Sequence, residues 1–165
     1  MPDSPHARKP ATDPLERLRE LGLELPPVRP PVGNYTPAVQ EGSLVFLSGQ
    51  GPVSADMVHR GKVGAEVSIA EAYEHARLTA LNLLAVLQDH LGSLKRVRRI
   101  VKVFGMVNAA PDFQAHPAVI DGCSDLLVAL FGDAGKHARS AVGMGSLPGL
   151  ITVEIELVVA VDDAD

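Results

Sequence analysis

Apolar residues along this chain recur with two periods, one of two and one near 3.6, and glycine, proline or capping residues mark the changes between them. From Thr152 onward, Val153, Ile155, Leu157, Val159 and Val161 alternate with Thr152, Glu154, Glu156, Val158 and Ala160, as expected of a strand with one face on a core. Upstream, a second strand starts near Ala138, with Arg139, Ala141, Gly143 and Gly145 on one side and Ser140, Val142 and Met144 on the other. Ser146-Leu147-Pro148-Gly149 reads as a tight turn joining the two strands, which would set Arg139 and the glutamates at paired positions.

The rest of the chain supplies the other elements. Residues 1–12, rich in Pro, Ser, Lys and His, are expected to form a mobile tail. Asp13-Pro14 opens a short helix with Leu15, Leu18, Leu21 and Leu23 on its apolar side, and the proline-rich LPPVRPPVG completes a lead-in over 13–31. Ala38 to Gln40 and Leu44 to Ser48 form a hairpin about Glu41-Gly42, and residues 53–67 a loop or a small third strand.

Ser68-Ile-Ala-Glu71 is a capping box. It opens a helix that runs to Leu91, carries Tyr73, Ala76, Ala80, Leu84, Leu87 and Leu91 on one stripe, and stops at Gly92. Val97 to Asn108 reads as a mid-sheet strand, apolar on both faces. A second long helix spans about 117–131, with Val119, Cys123, Leu126, Leu127 and Leu130 inward. The order ββ(β)αβαββ predicts an α+β fold, a mixed sheet with both helices on one face. The other face, with Glu154 and Arg139, then requires a partner or water.

Composition narrows the function classes. The 165 residues suit one domain, and with 46% hydrophobic but 4% aromatic residues the core must be aliphatic. A net charge of -5 and the shortage of aromatics argue against nucleic acid as a partner. The single cysteine and the lack of a signal-like start or a bilayer-length apolar run fit a cytoplasmic protein. The six histidines lack the spacing of a metal site, so no metal is expected. Gly143-Met-Gly145 has no third glycine at the required offset, where Pro148 stands, and no helix after it, which excludes a dinucleotide fingerprint.

An arginine and a glutamate among small residues have two readings: a surface ion pair on a solvated sheet face, or a pocket for an anion. Five segments bear on the choice: Asn34-Tyr35, Leu47-Ser48-Gly49-Gln50, Ala138-Arg139-Ser140, Leu147-Pro148 and Val153-Glu154-Ile155-Glu156. In their order and near spacing, the chain resembles the Rid/YjgF reactive-intermediate deaminase family over residues 32–161, in a branch with an N-terminal helix.

The resemblance implies a chorismate-mutase-like fold and a homotrimer with a site in each intersubunit cleft. It also implies cofactor-independent hydrolysis of 2-imino acids, or their enamines, to 2-oxo acids and ammonia. By position Arg139 would clamp the substrate carboxylate, Glu154 would orient water, and Tyr35 would line the cleft. Ala141, where many members have cysteine, would offer its backbone N–H, and Ser124 stands where the family has a helix asparagine. The competing reading is a noncatalytic trimer that binds a small carboxylate.

Overall fold

The computed structural model describes residues 12–162, so the expected tail lies, apart from Thr12, outside the described residues. In chain order the elements are α1 (Pro14–Glu20), β1 (Ala38–Glu41), β2 (Leu44–Gln50), α2 (Ile69–Leu91), β3 (Val97–Asn108), α3 (His116–Phe131), β4 (Ala138–Met144) and β5 (Val153–Val161). The strands form one five-stranded mixed sheet in the order β1-β2-β5-β3-β4. All pairs are antiparallel except β3 with β4.

Local chemistry sets most of these boundaries. The Asp13 carboxylate accepts the Leu15 amide at 3.0 Å and Pro14 takes the first helical position. At α2 both halves of the capping box form, and Gly92 ends the helix at φ 75°, a conformation open to glycine at little cost. Helices α2 and α3 lie side by side on one sheet face. Gly122 makes their contact close, because a methyl group there would strike the Tyr73 carbonyl. Between helices and sheet the core is aliphatic: Leu83, Leu84, Leu87, Val103, Val107, Ile120, Leu127, Ile155 and Leu157 are all buried. Leu18 of α1 joins this core, and Arg17 Nε donates to the Ala129 carbonyl of α3.

Two expectations need correction. First, β4 and β5 are not a hairpin: β3 lies between them, parallel to one and antiparallel to the other. A parallel pair cannot be joined by a tight turn, so α3 makes the connection from β3 to β4 and a loop over residues 145–152 then passes β3. Second, β5 is the middle strand. Although β3 is flanked on both sides, its Arg98, Arg99 and Val101 are exposed, so helices cover only one face. Residues 53–67, expected as a loop or a small third strand, take the first form, a loop with isolated bridges such as Val53 with Val58.

The face away from the helices is half apolar. It carries Phe46, Val158 and Glu156, with Val39 and Phe46 about half exposed (50% and 46%).

Candidate functional site

Strand register places the candidate residues. Arg139 on edge strand β4 lies opposite Val103, which lies opposite Leu157. Both partners are buried under the helices, and side chains in one register row share a face, so Arg139 points to the helix side. There its Nη1 donates to Asp121 Oδ1 at 2.7 Å and to Ser124 Oγ at 3.1 Å, both on α3. Asp121 and Ser124 are three apart and share a helix face. The guanidinium is mostly covered, whereas Asp121 is about half exposed. Nε and Nη2 have no hydrogen-bond partner among the described residues, so one fork of the guanidinium remains for a planar anion.

Ala141 follows Arg139 on the same face, opposite Gly105. Because β4 is an edge strand, half of its backbone N–H and C=O groups face away from the sheet.

The other candidates lie elsewhere in the chain. Glu154 is opposite Met106, whose other neighbour is Val142. It is therefore three residues along and two strands across from the Arg139 row, about 10 Å in each direction, and on the opposite face. The expected pairing of arginine and glutamate within one chain is thus overturned by the intervening β3. Tyr35 precedes β1, four strand spacings and about 19 Å from β4, and is half exposed. One chain gathers Arg139, Ser124 and Ala141, and leaves Glu154 and Tyr35 apart.

Glu154 has its own built environment. Its carboxylate lies against the backbone of Gly49, where any Cβ would collide with it. Burial, and then the neighbouring Glu156 carboxylate, raise its pKa above the usual glutamate value. This is why the strand end Leu47-Ser48-Gly49-Gln50 carries glycine.

Sequence reasoning missed His137. Its Nε2 lies 3.0 Å from Ser124 Oγ and its Nδ1 2.6 Å from the Gly135 carbonyl. Burial pulls the imidazole below the usual histidine pKa and Arg139 adds to the fall, although the Gly135 carbonyl works against both. Position alone carried a signal, since His137 is two residues before Arg139 and so in the same strand phase. Cys123, the neighbour of Ser124, is fully buried, and burial pushes its thiol up to about 12. Among the described residues no three His, Cys, Asp or Glu side chains gather as metal ligands. Among the described residues no helix is long and apolar enough to cross a membrane.

Comparison with known proteins places this geometry. Residues 15–156 match the family described as "YjgF/chorismate_mutase-like, putative endoribonuclease". The chain belongs to this YjgF/chorismate-mutase-like family. Among relatives, it is 37% identical over 150 residues to Protein TCP17 of Trypanosoma cruzi, covering 88% of this chain and 92% of that one. A more distant YjgF-family relative is a 2-iminobutanoate/2-iminopropanoate deaminase of Dermatophagoides farinae, 30% identical over 137 residues, with 80% and 89% covered. Among solved structures, Atu1372 of Agrobacterium tumefaciens, a protein with unknown function, superposes with a TM-score of 0.85 at 40% identity, over 90% of this chain and 92% of that one. The mixed α+β fold, one sheet with three helices, is that of the YjgF family.

Proposed function

We propose that this protein is a cofactor-independent deaminase of the cytoplasm that hydrolyses small 2-imino acids, or their enamine tautomers, to 2-oxo acids and ammonia. The observation that carries the reading is the Nε/Nη2 fork of Arg139, held by Asp121 and Ser124 at the open edge of the sheet. A guanidinium fixed on one side binds a planar carboxylate with two parallel hydrogen bonds and sets the orientation of the adjoining C=N carbon. Family membership and the deaminase relative support the same chemistry.

The water-orienting carboxylate is then Glu154 of a neighbouring copy. Within one chain Glu154 lies on the opposite sheet face from Arg139 and Tyr35 lies four strand spacings away, and the half-apolar sheet face that carries Glu154 offers a surface for association. A closed homotrimer brings the Arg139 edge of one copy against that face of the next. The protonated imine is already electrophilic, so clamping and water alignment supply much of the rate.

The test is a panel of amino acids, each oxidised in place by an amino-acid oxidase, with imine decay followed with and without the protein. Faster appearance of 2-oxo acid supports the deaminase. Saturable 2-oxobutanoate binding with no rate gain for any imine selects the noncatalytic carboxylate binder. That second reading rests on the same Arg139 fork, which can hold a carboxylate without turnover.

A further inference from the structure

We propose that Ser124 and His137 form the proton-transfer pair of the Arg139 site, with Ser124 Oγ passing a proton from the attacking water to His137 Nε2. The proposal rests on the deaminase reading and assigns a function to a histidine outside the clamp.

The donor and acceptor inventory fixes the direction of every hydrogen bond in the chain of contacts. Arginine only donates, so Ser124 Oγ accepts from Arg139 Nη1 at 3.1 Å. The Gly135 carbonyl only accepts, so His137 Nδ1 carries its hydrogen at 2.6 Å. In the neutral ring Nε2 is then an acceptor, and the Ser124 hydroxyl donates to it at 3.0 Å. Serine has one donor and two acceptor positions. His137 and Arg139 use one of each, and one lone pair on Oγ remains for a water or a substrate N–H beside the free guanidinium fork. A base, the group it acts through and the group that orients it thus lie in line next to the clamp, as acid–base catalysis requires. Glu154 of the same chain cannot fill this place, because it lies on the other face of the sheet.

Burial favours the neutral form of the imidazole. The Gly135 carbonyl opposes this, and Arg139, facing the ring from β4, adds to it. Asp121 on α3 is engaged by Arg139, and Asp133 and Lys136 pair with each other at 2.8 Å in the preceding turn. At neutral pH the ring is ready to accept a proton.

The step balances as follows. Water oxygen bonds to the iminium carbon as the C=N π pair moves to nitrogen, and one water proton passes through Ser124 Oγ to His137 Nε2. His137 returns that proton by the same route to the amine. The C–N bond then breaks with its pair on nitrogen, and the hydroxyl proton goes to the departing ammonia. The products are the 2-oxo acid and ammonium, and His137 is neutral again.

The experiment measures kcat and KM against pH for the full-length protein and for His137→Gln and Ser124→Ala, on the best imine of the panel. In parallel, NMR follows titration of the His137 ring. The wild-type rate should fall as pH drops through the His137 pKa read by NMR. His137→Gln should lose about a hundredfold in kcat with KM nearly unchanged and should lose that acid limb. Ser124→Ala should do the same while His137 still titrates. A His137→Gln or Ser124→Ala protein with wild-type assembly and melting temperature that stays within twofold of wild-type kcat and keeps the limb overturns the proposal while the deaminase stands. A wild-type protein that accelerates no imine removes the deaminase reading and this step with it.

Discussion

Replacing Arg139 by lysine separates an oriented clamp from a simple positive charge. In the native side chain Nη1 is committed to Asp121 and Ser124, and Nε and Nη2 remain to take a carboxylate in two parallel bonds. A lysine ammonium is a single point, and Asp121 on α3 is placed to capture it, so neither the fork nor its orientation survives. Loss of a charge-assisted pair in a partly desolvated site costs about 2 to 4 kcal/mol, or roughly thirtyfold to a thousandfold in kcat/KM. Stability should hardly change, because the Arg139–Asp121 pair has one partner half exposed and such pairs are worth under about 1 kcal/mol. The assay is imine decay at several substrate concentrations beside a thermal melt. An Arg139→Lys protein with wild-type kcat/KM and an unchanged melting temperature would refute the clamp.

Two further outcomes follow from the packing. Gly49→Ala should displace the Glu154 carboxylate that rests on it, costing about 1 to 3 kcal/mol of stability by overpacking and at least about tenfold in turnover, readable from a melt and the same rate assay. His75 stacks on His59 with ring centroids 4.2 Å apart and meets the buried Thr152 hydroxyl at 3.1 Å. Burial first, and His59 second, lower its pKa from 6.5. Between that lowered value and 6.5 the unfolded chain binds more protons, so stability present at pH 7 is lost as pH falls, by at most about 1.4 kcal/mol per pH unit for each such imidazole. His137 has the same sign. Denaturant titrations at pH 7 and pH 5 should show the loss, and it should be smaller in His75→Gln.

Where one period dominates, sequence and structure agree residue by residue. The Ser68–Glu71 capping box, Gly92, the β5 alternation and the Asp13-Pro14 start all depend on neighbours within a few positions. The path from β4 to β5 was not legible, because a Leu-Pro-Gly turn signals a change of direction whether or not the flanking strands pair. The pairing of β3 with both β4 and β5 reveals the intervening strand. That difference moves Arg139 to the helix side and separates it from Glu154. The packing of α3 on β4 hid His137, whose contact with Ser124 comes from α3, while its other partner, Gly135, lies in the turn just before β4. Its strand phase with Arg139 was visible, but histidine has no spacing rule outside metal sites.

Mixing two inactive variants tests most directly that the site is a deaminase built across two copies. Arg139→Ala and Glu154→Gln proteins, each prepared alone and then allowed to exchange subunits at equal concentrations, should form mixed trimers under the proposed assembly. In those trimers about a quarter of the clefts combine a native Arg139 from one copy with a native Glu154 from the next. Imine decay should therefore recover to about a quarter of the wild-type rate, from near background in either variant alone. Exchange confirmed by mass spectrometry with no recovery of activity would contradict a site shared between subunits and return Arg139 and Glu154 to unrelated roles.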